Sequence, residues 1–266
     1  MTNALYIVAH PDDSLLFQSP TLLTHIYQEK RVLTVHLSAG ENGRRERYWR
    51  AREAGIKAAY ASMAGVANEW SLSSVHLGDR PLEIATLGAR PDITMLFFRL
   101  PDGGFPEGGG TSRYGFESLT QLWHETSPSI RAVDGSGSYT KPELISTLAA
   151  LMASFEPDFI ATHDYANTFG DGDHMDHYAT ALLVRAANAS YSRPHQLVGF
   201  EGYPGVNRKP NVVGDLLRAK QDAFYAYGAY DSLACSSERT CRRTPYAQFL
   251  AREYVAIRDV TGNAAE

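Results

Sequence analysis

Residues 5–17 read Leu5-Tyr6-Ile7-Val8-Ala9-His10-Pro11-Asp12-Asp13-Ser14-Leu15-Leu16-Phe17. The first five of them are apolar with a β-branched centre, which predicts a short buried strand. Pro11 fixes its own φ and biases His10 toward extended backbone, so the strand should end there. Open α/β sheets bind ligands at the carboxyl ends of their strands. The sequence therefore predicts a site around His10, Asp12 and Asp13.

A metal ion is the first candidate ligand for this site. A histidine and a carboxylate three residues apart across a tight turn can reach one divalent ion, which leaves the neighbouring carboxylate as a base. Such a site would hold zinc through nitrogen and oxygen ligands and keep a position open for water. An aspartate-rich turn beside a hydrogen-bonded histidine would show the same short motif. The first cluster alone leaves both interpretations open.

A second cluster lies in the later half of the chain and reads Asp171-Gly172-Asp173-His174-Met175-Asp176-His177. His174 and His177 are three residues apart and would share one face of the helix predicted to follow them. Asp173 is the expected N-cap of that helix. The apolar run 159–162 predicts a strand that delivers the cluster to the sheet edge. Two clusters, each downstream of a strand, favour a metal site more strongly than one.

Together the two clusters resemble the PIG-L/LmbE-like zinc-dependent N-deacetylases. That family carries Ala-His-Pro-Asp-Asp-Glu near the N-terminus and His-x-x-His in the second half. The matching segments here are Ala9-His10-Pro11-Asp12-Asp13-Ser14 and His174-Met175-Asp176-His177. The flanks 38–43 and 48–54 are also similar, and the resemblance spans about residues 5–200. It looks closest to an actinobacterial branch of the family.

The resemblance implies a set of roles and a substrate class. The implied zinc ligands are His10, Asp13 and His177. Asp12 would be the general base that takes a proton from the attacking water. His174 would donate to the oxyanion or act as the general acid, with Asp176 orienting it. The implied substrate is an N-acetylated amino sugar in a glycoconjugate.

Two positions depart from the family pattern. Ser14 stands where the family commonly has an acid, and Gly172 stands where some relatives have a tyrosine that donates to the oxyanion. If those groups matter here, others must replace them, and the oxyanion donor could come from the aromatic-rich insertion described below.

Several polar residues near the motifs are weaker candidates. His36, inside the second predicted strand, is expected to pack or to support a ligand rather than to bind metal. His163 and Asp164 are likewise expected to support the ligands. Arg50 or Arg52 could contact the substrate, although arginines on a helix are more often solvated or paired.

The remaining pattern predicts an α/β fold with a Rossmann-like, mostly parallel sheet flanked by helices. A β-α-β opening is expected from a helix that has Ser19 as its N-cap and Pro20 as its first residue and ends near Lys30, followed by a strand over 31–37. The other predicted helices cover 44–63, 141–155, 215–227 and the amphipathic segment 246–257. The other predicted strands cover 70–77, 82–86, 93–100 and 196–203. Without repeats or a linker, one PIG-L/LmbE-like domain over residues 1–266 is expected.

A glycine-rich stretch over residues 101–117 interrupts the regular pattern. It contains six glycines, and a long loop in a compact enzyme is usually a lid, a binding loop or disorder. The nearby aromatic residues are Phe97, Phe98, Phe105, Tyr114, Phe116 and Trp123. They favour an insertion near the site that contacts substrate, such as a bulky teicoplanin-type glycopeptide. The alternative is an insertion that packs its own aromatic rings.

Composition limits the partners. The chain has 266 residues, 44% of them hydrophobic, with a formal net charge of −5 and a pI near 6.0. The acidic balance argues against nucleic acid, and the longest apolar runs are too short to span a bilayer. A small-molecule or glycoconjugate substrate is therefore expected, and the oligomeric state stays open.

The expected location depends on two cysteines. Only four residues precede the first strand, so no signal peptide is expected and a cytoplasmic location is the default. A disulfide between Cys235 and Cys241 would instead imply an oxidising compartment and a secreted mature form. Two unpaired thiols would fit the cytosol.

Two other functions fit parts of the pattern. A non-haem Fe(II) oxygenase uses the same ligand types, two histidines and one carboxylate. Such enzymes usually have an all-β scaffold, and the β-α-β opening argues against one. A carbohydrate-binding protein that retains the site without turnover is the other alternative, and the departures at Ser14 and Gly172 favour it.

Overall fold

The structure is a computed structural model that describes residues 3–77, 80–104 and 106–262, without the side chain of Arg80. The strands in these ranges are β1 (Asn3–Val8), β2 (Arg31–Ser38), β3 (Trp70–Leu77), β4 (Arg80–Leu87), β5 (Arg90–Leu100), β6 (Ile130–Arg131), β7 (Ser138–Tyr139), β8 (Phe159–His163), β9 (His195–Phe200) and β10 (Val255–Thr261). The helices are α1 (Asp13–Phe17), α2 (Thr21–Tyr27), α3 (Glu46–Ala64), α4 (Leu119–Trp123), α5 (Lys141–Phe155), α6 (Met175–Asn188), α7 (Gly214–Gly228), α8 (Glu238–Cys241) and α9 (Tyr246–Leu250).

The central sheet is mostly parallel, as predicted. Its eight described strands have the order β10-β9-β8-β1-β2-β5-β4-β3. The five inner strands β9, β8, β1, β2 and β5 pair in parallel. The strands at both edges pair antiparallel, with β10 on one side and the β3–β4 hairpin on the other. This hairpin explains why the sequence contains more strand candidates than a plain Rossmann unit needs.

Both faces of the sheet are buried. Successive strand residues point to opposite faces, so Ala4 and Tyr6 enter one core while Leu5 and Ile7 enter the other. Helices α1, α2, α3 and α7 cover the first face, and α4, α5 and α6 cover the second. A strand that is covered on both sides has a continuous apolar sequence, and β1 has this pattern.

Two predicted helices differ from the observed ones. Pro20 is the N-cap of α2 rather than its first residue, and α2 ends at Tyr27, short of Lys30. The predicted helix over 246–257 is wrong in its second half, because α9 ends at Leu250 and β10 follows. β10 pairs with the open edge of β9. That partner is distant in sequence, so local periodicity does not reveal it.

The register of the inner strands brings several loops together. The backbone N–H of Ser38 donates to the carbonyl of Ala9 at 2.8 Å, and that of Ala39 donates to Leu100 at 2.8 Å. The loops after β1, β2 and β5 therefore lie side by side at the carboxyl edge of the sheet. The end of β8 meets β1 at the same edge.

In the described ranges, no helix is both long and apolar enough to cross a membrane.

Candidate metal centre and pocket

Three of the predicted ligands converge in the structure. His10 Nδ1 lies 3.3 Å from Asp13 Oδ2, and His177 Nε2 lies 3.2 Å from Asp13 Oδ1. All three side chains are buried, and their donor atoms lie within 4.8 Å of one another. Ligands bound tetrahedrally at about 2.0–2.1 Å from zinc are separated by about 3.3 Å. The donor set and its spacing therefore fit a zinc ion.

Asp173 sets the tautomer of His177. The Nδ1 atom of His177 lies 2.8 Å from Asp173 Oδ1, which directs the Nε2 lone pair toward Asp13 once Nδ1 carries the proton. A carboxylate on the distal nitrogen is a common support for metal-binding histidines. Asp173 also accepts from the backbone N–H groups of His174 and Tyr203. Because Asp173 is engaged in this way, the expected N-cap role falls instead to His174.

The cluster attracts positive charge. Burial alone would lower the pKa of His177, but Asp173 and Asp13 outweigh it and raise that pKa to about 10. Burial likewise opposes the shift at His10, where Asp13 raises the pKa well above its usual value. The pKa of Asp13 is raised by burial, yet the two histidines lower it well below its usual range. A divalent cation would balance the negative charge of these carboxylates in the same way as the protonated histidines do.

Asp176 lies close to both His10 and His174. Its Oδ2 accepts from the backbone N–H of Gly103 at 2.7 Å and lies 3.5 Å from His10 Nε2. The same oxygen lies 4.0 Å from His174 Nδ1. The role of Asp176 in orienting His174 stays a prediction.

A backbone hydrogen bond also orients the His174 ring. Its Nδ1 accepts from the backbone N–H of Asp176 at 3.1 Å, so the neutral ring carries its proton on Nε2. Burial and the neighbouring His10 lower the pKa of His174 to about 4, which keeps the ring neutral. The Nε2 atom lies 3.8 Å from Asp102 Oδ1. This tautomer makes His174 a hydrogen-bond donor at the pocket.

Asp12 is paired with an arginine. The Nη2 group of Arg52 donates to Asp12 Oδ1. Burial raises the pKa of Asp12, and the Arg52 guanidinium opposes that shift. The two candidate arginines therefore differ in position, since Arg50 is exposed and pairs with Glu46.

A cavity of about 200 Å³ opens beside these residues. We call His10, Asp12, Asp102 and His174 its motif wall, and Tyr203, Asp231, Leu233 and Tyr246 its C-terminal wall. Asn42, Tyr48, Arg52 and Gly104 complete the lining. Both walls line the same cavity, so the motif residues have direct access to whatever fills it.

The aromatic side chains at the cavity are not those expected from the insertion. Phe97 and Phe98 are buried in the two cores, and Phe105 lies outside the described residues. The Tyr114 hydroxyl donates to the Arg44 carbonyl, and Phe116 is exposed. Trp123 packs beneath the Lys141 ammonium. From the described part of 101–117, Asp102 and Gly104 line the cavity.

The weaker candidates take supporting positions. His36 stacks on Phe97 with ring centroids 5.0 Å apart, and its Nδ1 lies 3.4 Å from the His10 carbonyl. His163 stacks on His177 at 4.0 Å, and its Nε2 lies 3.2 Å from Asp13 Oδ2. Asp164 accepts from the backbone of Ala166 and stands outside the cluster.

The two departures from the family pattern have local explanations. Ser14 is buried and accepts from the Tyr60 hydroxyl at 3.1 Å, and that hydroxyl lies 2.7 Å from Thr34 Oγ1. A neutral hydroxyl chain therefore occupies the place of an acid. Gly172 has a φ of +93° and no atom near the position of a Cβ. It faces open space rather than a ligand.

Sequence reasoning missed several residues of the site, namely Asp102, Asp173, Tyr48, Tyr203, Asp231, Leu233 and Tyr246. Asp102 follows β5 directly, so the rule that placed His10 at a strand end could have found it. For Asp173 the sequence predicts only the role of helix N-cap and not its contact with His177. The residues after position 200 carry no local motif that would have indicated them.

Comparison with known proteins fits this site. The profile of the family described as PIG-L, GlcNAc-PI de-N-acetylase, matches residues 5–188. This chain belongs to the PIG-L family. The match contains both histidine clusters and ends before the C-terminal wall begins.

Individual relatives are distant. A 1D-myo-inositol 2-acetamido-2-deoxy-alpha-D-glucopyranoside deacetylase from Gordonia bronchialis is 24% identical over 202 residues, covering 74% of this chain. The match covers 61% of that relative, so the chain spans about three-fifths of its length.

Two solved structures resemble this chain at low identity. The N,N'-diacetylchitobiose deacetylase from Pyrococcus horikoshii is 13% identical with a TM-score of 0.51, covering 94% of this chain and 75% of that one. GalB, a 4-carboxy-2-hydroxymuconate hydratase from Pseudomonas putida, is 15% identical with a TM-score of 0.47, covering 100% and 99%. The likeness to the chitobiose deacetylase shows the fold alone.

Proposed function

We propose that this chain is a zinc-dependent hydrolase that removes an N-acetyl group from an amino sugar in a glycoconjugate. The observation that carries the proposal is the buried His10–Asp13–His177 donor set with Asp12 beside it at a cavity wall. Membership of the PIG-L family over residues 5–188 supports the same reaction.

The three proposed ligands leave a coordination position open for water or substrate. Two histidines and one aspartate leave at least one position open in a tetrahedral shell, as hydrolysis requires. A zinc ion held by His10, Asp13 and His177 would supply a Lewis acid that activates water and polarises the amide carbonyl.

The protein's own side chains would then move the protons. Asp12 accepts the proton of the attacking water, and its raised pKa suits a general base that works near neutral pH. His174 presents its Nε2–H to the oxyanion that forms as water adds to the carbonyl carbon. The amine leaves with the proton that Asp12 took from the water, which returns Asp12 to its ionised state, while His174 keeps its Nε2 proton throughout.

The cavity suits one sugar ring. Its volume of about 200 Å³ lies below the range of about 300–1,000 Å³ found for pockets that bury drug-sized ligands. Its lining is rich in carboxylate, hydroxyl and guanidinium groups, which can hydrogen-bond to sugar hydroxyls. We infer that the acetamido sugar enters the cavity while the remainder of the glycoconjugate lies outside.

The nature of the remainder is a separate question. The expectation of a bulky aryl aglycone, such as a teicoplanin-type glycopeptide, was based on the aromatic insertion. None of the described aromatic residues of that insertion lines the cavity. A glycopeptide substrate therefore stays a prediction without that support.

A substrate panel tests the proposal. The purified protein, loaded with zinc, is incubated with N-acetylglucosamine, N,N'-diacetylchitobiose and 1D-myo-inositol 2-acetamido-2-deoxy-α-D-glucopyranoside. Equal release of acetate and primary amine from one glycoside, faster than from free N-acetylglucosamine, is the expected result. Binding of these sugars without acetate release would instead favour a carbohydrate-binding protein.

The observed sheet is mostly parallel and flanked by helices, which strengthens the argument against an iron oxygenase that the β-α-β opening already made.

A further inference from the structure

Arg52 is a buried cation whose guanidinium nitrogens are all engaged. Nη2 donates to Asp12 Oδ1, Nη1 donates to the Gly40 carbonyl, and Nε donates to the Tyr227 hydroxyl at 2.6 Å. Gly40 has a φ of +58°, and a Cβ there would come within 2.1 Å of Arg52 Nη1. The backbone of the loop after β2 is therefore shaped around this side chain.

A second carboxylate, that of Asp231, contacts the guanidinium at Nε. Asp231 Oδ2 lies 3.1 Å from Arg52 Nε and accepts from the Tyr227 hydroxyl at 2.6 Å. Asp231 Oδ1 accepts from the Tyr48 hydroxyl at 3.0 Å and from the backbone N–H of Leu233 at 2.9 Å. With only 2% of its surface exposed, Asp231 is a fixed anchor rather than a mobile surface charge.

Close helix packing brings this anchor to Arg52. Gly55 lies one turn after Arg52 on α3, and a Cβ there would meet the Tyr227 carbonyl of α7 at 2.8 Å. At the end of α7, a Cβ on Gly228 would come within 2.1 Å of the Cys235 carbonyl. The two glycines let α7 and the following loop approach α3 closely enough for Asp231 to reach the guanidinium.

The loop that carries Asp231 is itself constrained. Cys235 and Cys241 form a disulfide, which confirms the pairing considered from the sequence. Both cysteines are buried in the first core. The anchor, its loop and the disulfide all lie after residue 188, where the match to the family ends.

We infer that Asp231 is a positioning residue for the reaction, which fixes Arg52 so that the guanidinium binds a single oxygen of Asp12. This inference rests on the proposed function, in which Asp12 is the base. Guanidinium and carboxylate groups favour bidentate pairing when geometry allows it. Asp231 and Gly40 restrain Arg52 from that arrangement, so Asp12 Oδ2 remains available to the attacking water.

The test compares Asp231→Asn and Asp231→Ala with the parent protein. Crystal structures of the zinc-loaded variants report where Arg52 goes, independently of turnover. We expect Arg52 to leave its monodentate position on Asp12 in both variants. With the fastest glycoside of the three-sugar panel, we expect kcat to fall about 10- to 100-fold, the scale of a misplaced catalytic group. KM and zinc content should stay close to those of the parent.

Two controls separate positioning from general damage. Asp222→Asn changes an exposed carboxylate on α7 and should leave kcat unchanged. In an Arg52→Gln background, Asp231→Asn should cause little further loss, because its effect passes through Arg52. If Asp231→Ala does not fold, Asp231→Asn, which keeps the shape, carries the comparison.

Specific results would overturn the inference. Arg52 that keeps its parental contact with Asp12 in Asp231→Asn, with an unchanged kcat, would show that Asp231 is not needed. A raised KM at unchanged kcat would make Asp231 a substrate contact instead. If the parent releases no acetate, the proposed function fails, while the crystal structures still decide whether Asp231 holds Arg52.

Discussion

One wall of the cavity comes from strand ends and the other from the chain after residue 200. On the motif wall, His10 and Asp102 follow β1 and β5, the two parallel strands that flank β2, and the hydrogen bonds to β2 fix their spacing. On the C-terminal wall, Tyr203, Asp231 and Tyr246 come from three separate segments joined by loops. The difference suggests that the sheet fixes the metal ligands and the base, while the later segments shape what fits and, through Asp231, hold Arg52 in place.

The largest expected effect is on the motif wall. Replacing Asp12 with Asn removes the proposed base but keeps the size of the side chain. We expect kcat to fall about 10³-fold, within the range for loss of a general base, while zinc content is unchanged. Acetate release by Asp12→Asn, measured beside the surface control Asp222→Asn, checks this. Turnover near that of the control would remove Asp12 from the mechanism.

The next effect concerns the stability of the C-terminal wall. Replacing both Cys235 and Cys241 with Ser opens a short cross-linked loop, and the chain-entropy model gives a loss of about 2 kcal/mol in unfolding free energy. The zinc cluster should keep its metal, because its ligands come from other elements. Thermal unfolding and metal analysis of the double variant make the comparison. Loss of zinc together with stability would mean that the two walls are not independent.

Tyr246 tests whether the C-terminal wall acts mainly in binding. Removing its ring by Tyr246→Ala should raise KM about 10-fold, equivalent to an aromatic contact of about 1.4 kcal/mol. The value of kcat should change little, since the ring makes no proton transfer. Tyr246→Phe is the matched control and should bind nearly as the parent does. A fall in kcat at constant KM would place Tyr246 in the chemistry instead.

The last expected effect changes no activity and is a pH dependence of stability at Glu41, next to the motif wall. Burial, and then the neighbouring Asp102, raise the pKa of Glu41 to about 8. The folded chain therefore holds a proton there that the unfolded chain releases near its ordinary pKa of 4.5. Stability should therefore fall as pH rises between those values, because the folded chain binds the extra proton.

Glu41→Gln removes this proton linkage. Urea unfolding of the parent and the variant at pH 5 and pH 8 should show the variant gaining stability relative to the parent at the higher pH. An equal dependence in both proteins would mean that Glu41 is ionised in the folded state.

The contrast between the motif wall and the C-terminal wall also explains which features the sequence could predict. The inner parallel strands, the helices α3, α5 and α7, and the convergence of His10, Asp13 and His177 follow from local patterns and from the rule that strand ends meet. Each cluster places its own residues within a few positions of one another, and the rule that strand ends meet brings the two distant clusters together.

The rest depends on contacts between distant segments. β10 forms because the edge of β9 is open, and the sequence of 246–257 also fits a helix. Asp231 reaches Arg52 only because Gly55 and Gly228 allow close packing. The aromatic insertion was a misleading signal, because Phe97 and Phe98 fill the cores while the rings at the cavity come from elsewhere.

The most direct test of a zinc hydrolase is the metal content of the purified protein beside His177→Ala. The matched control is His76→Ala, which changes an exposed histidine on β3. Elemental mass spectrometry should find about one zinc per chain in the parent and the control, and almost none in His177→Ala. Equal zinc in all three proteins, or none in the parent after incubation with zinc, would contradict the proposed centre.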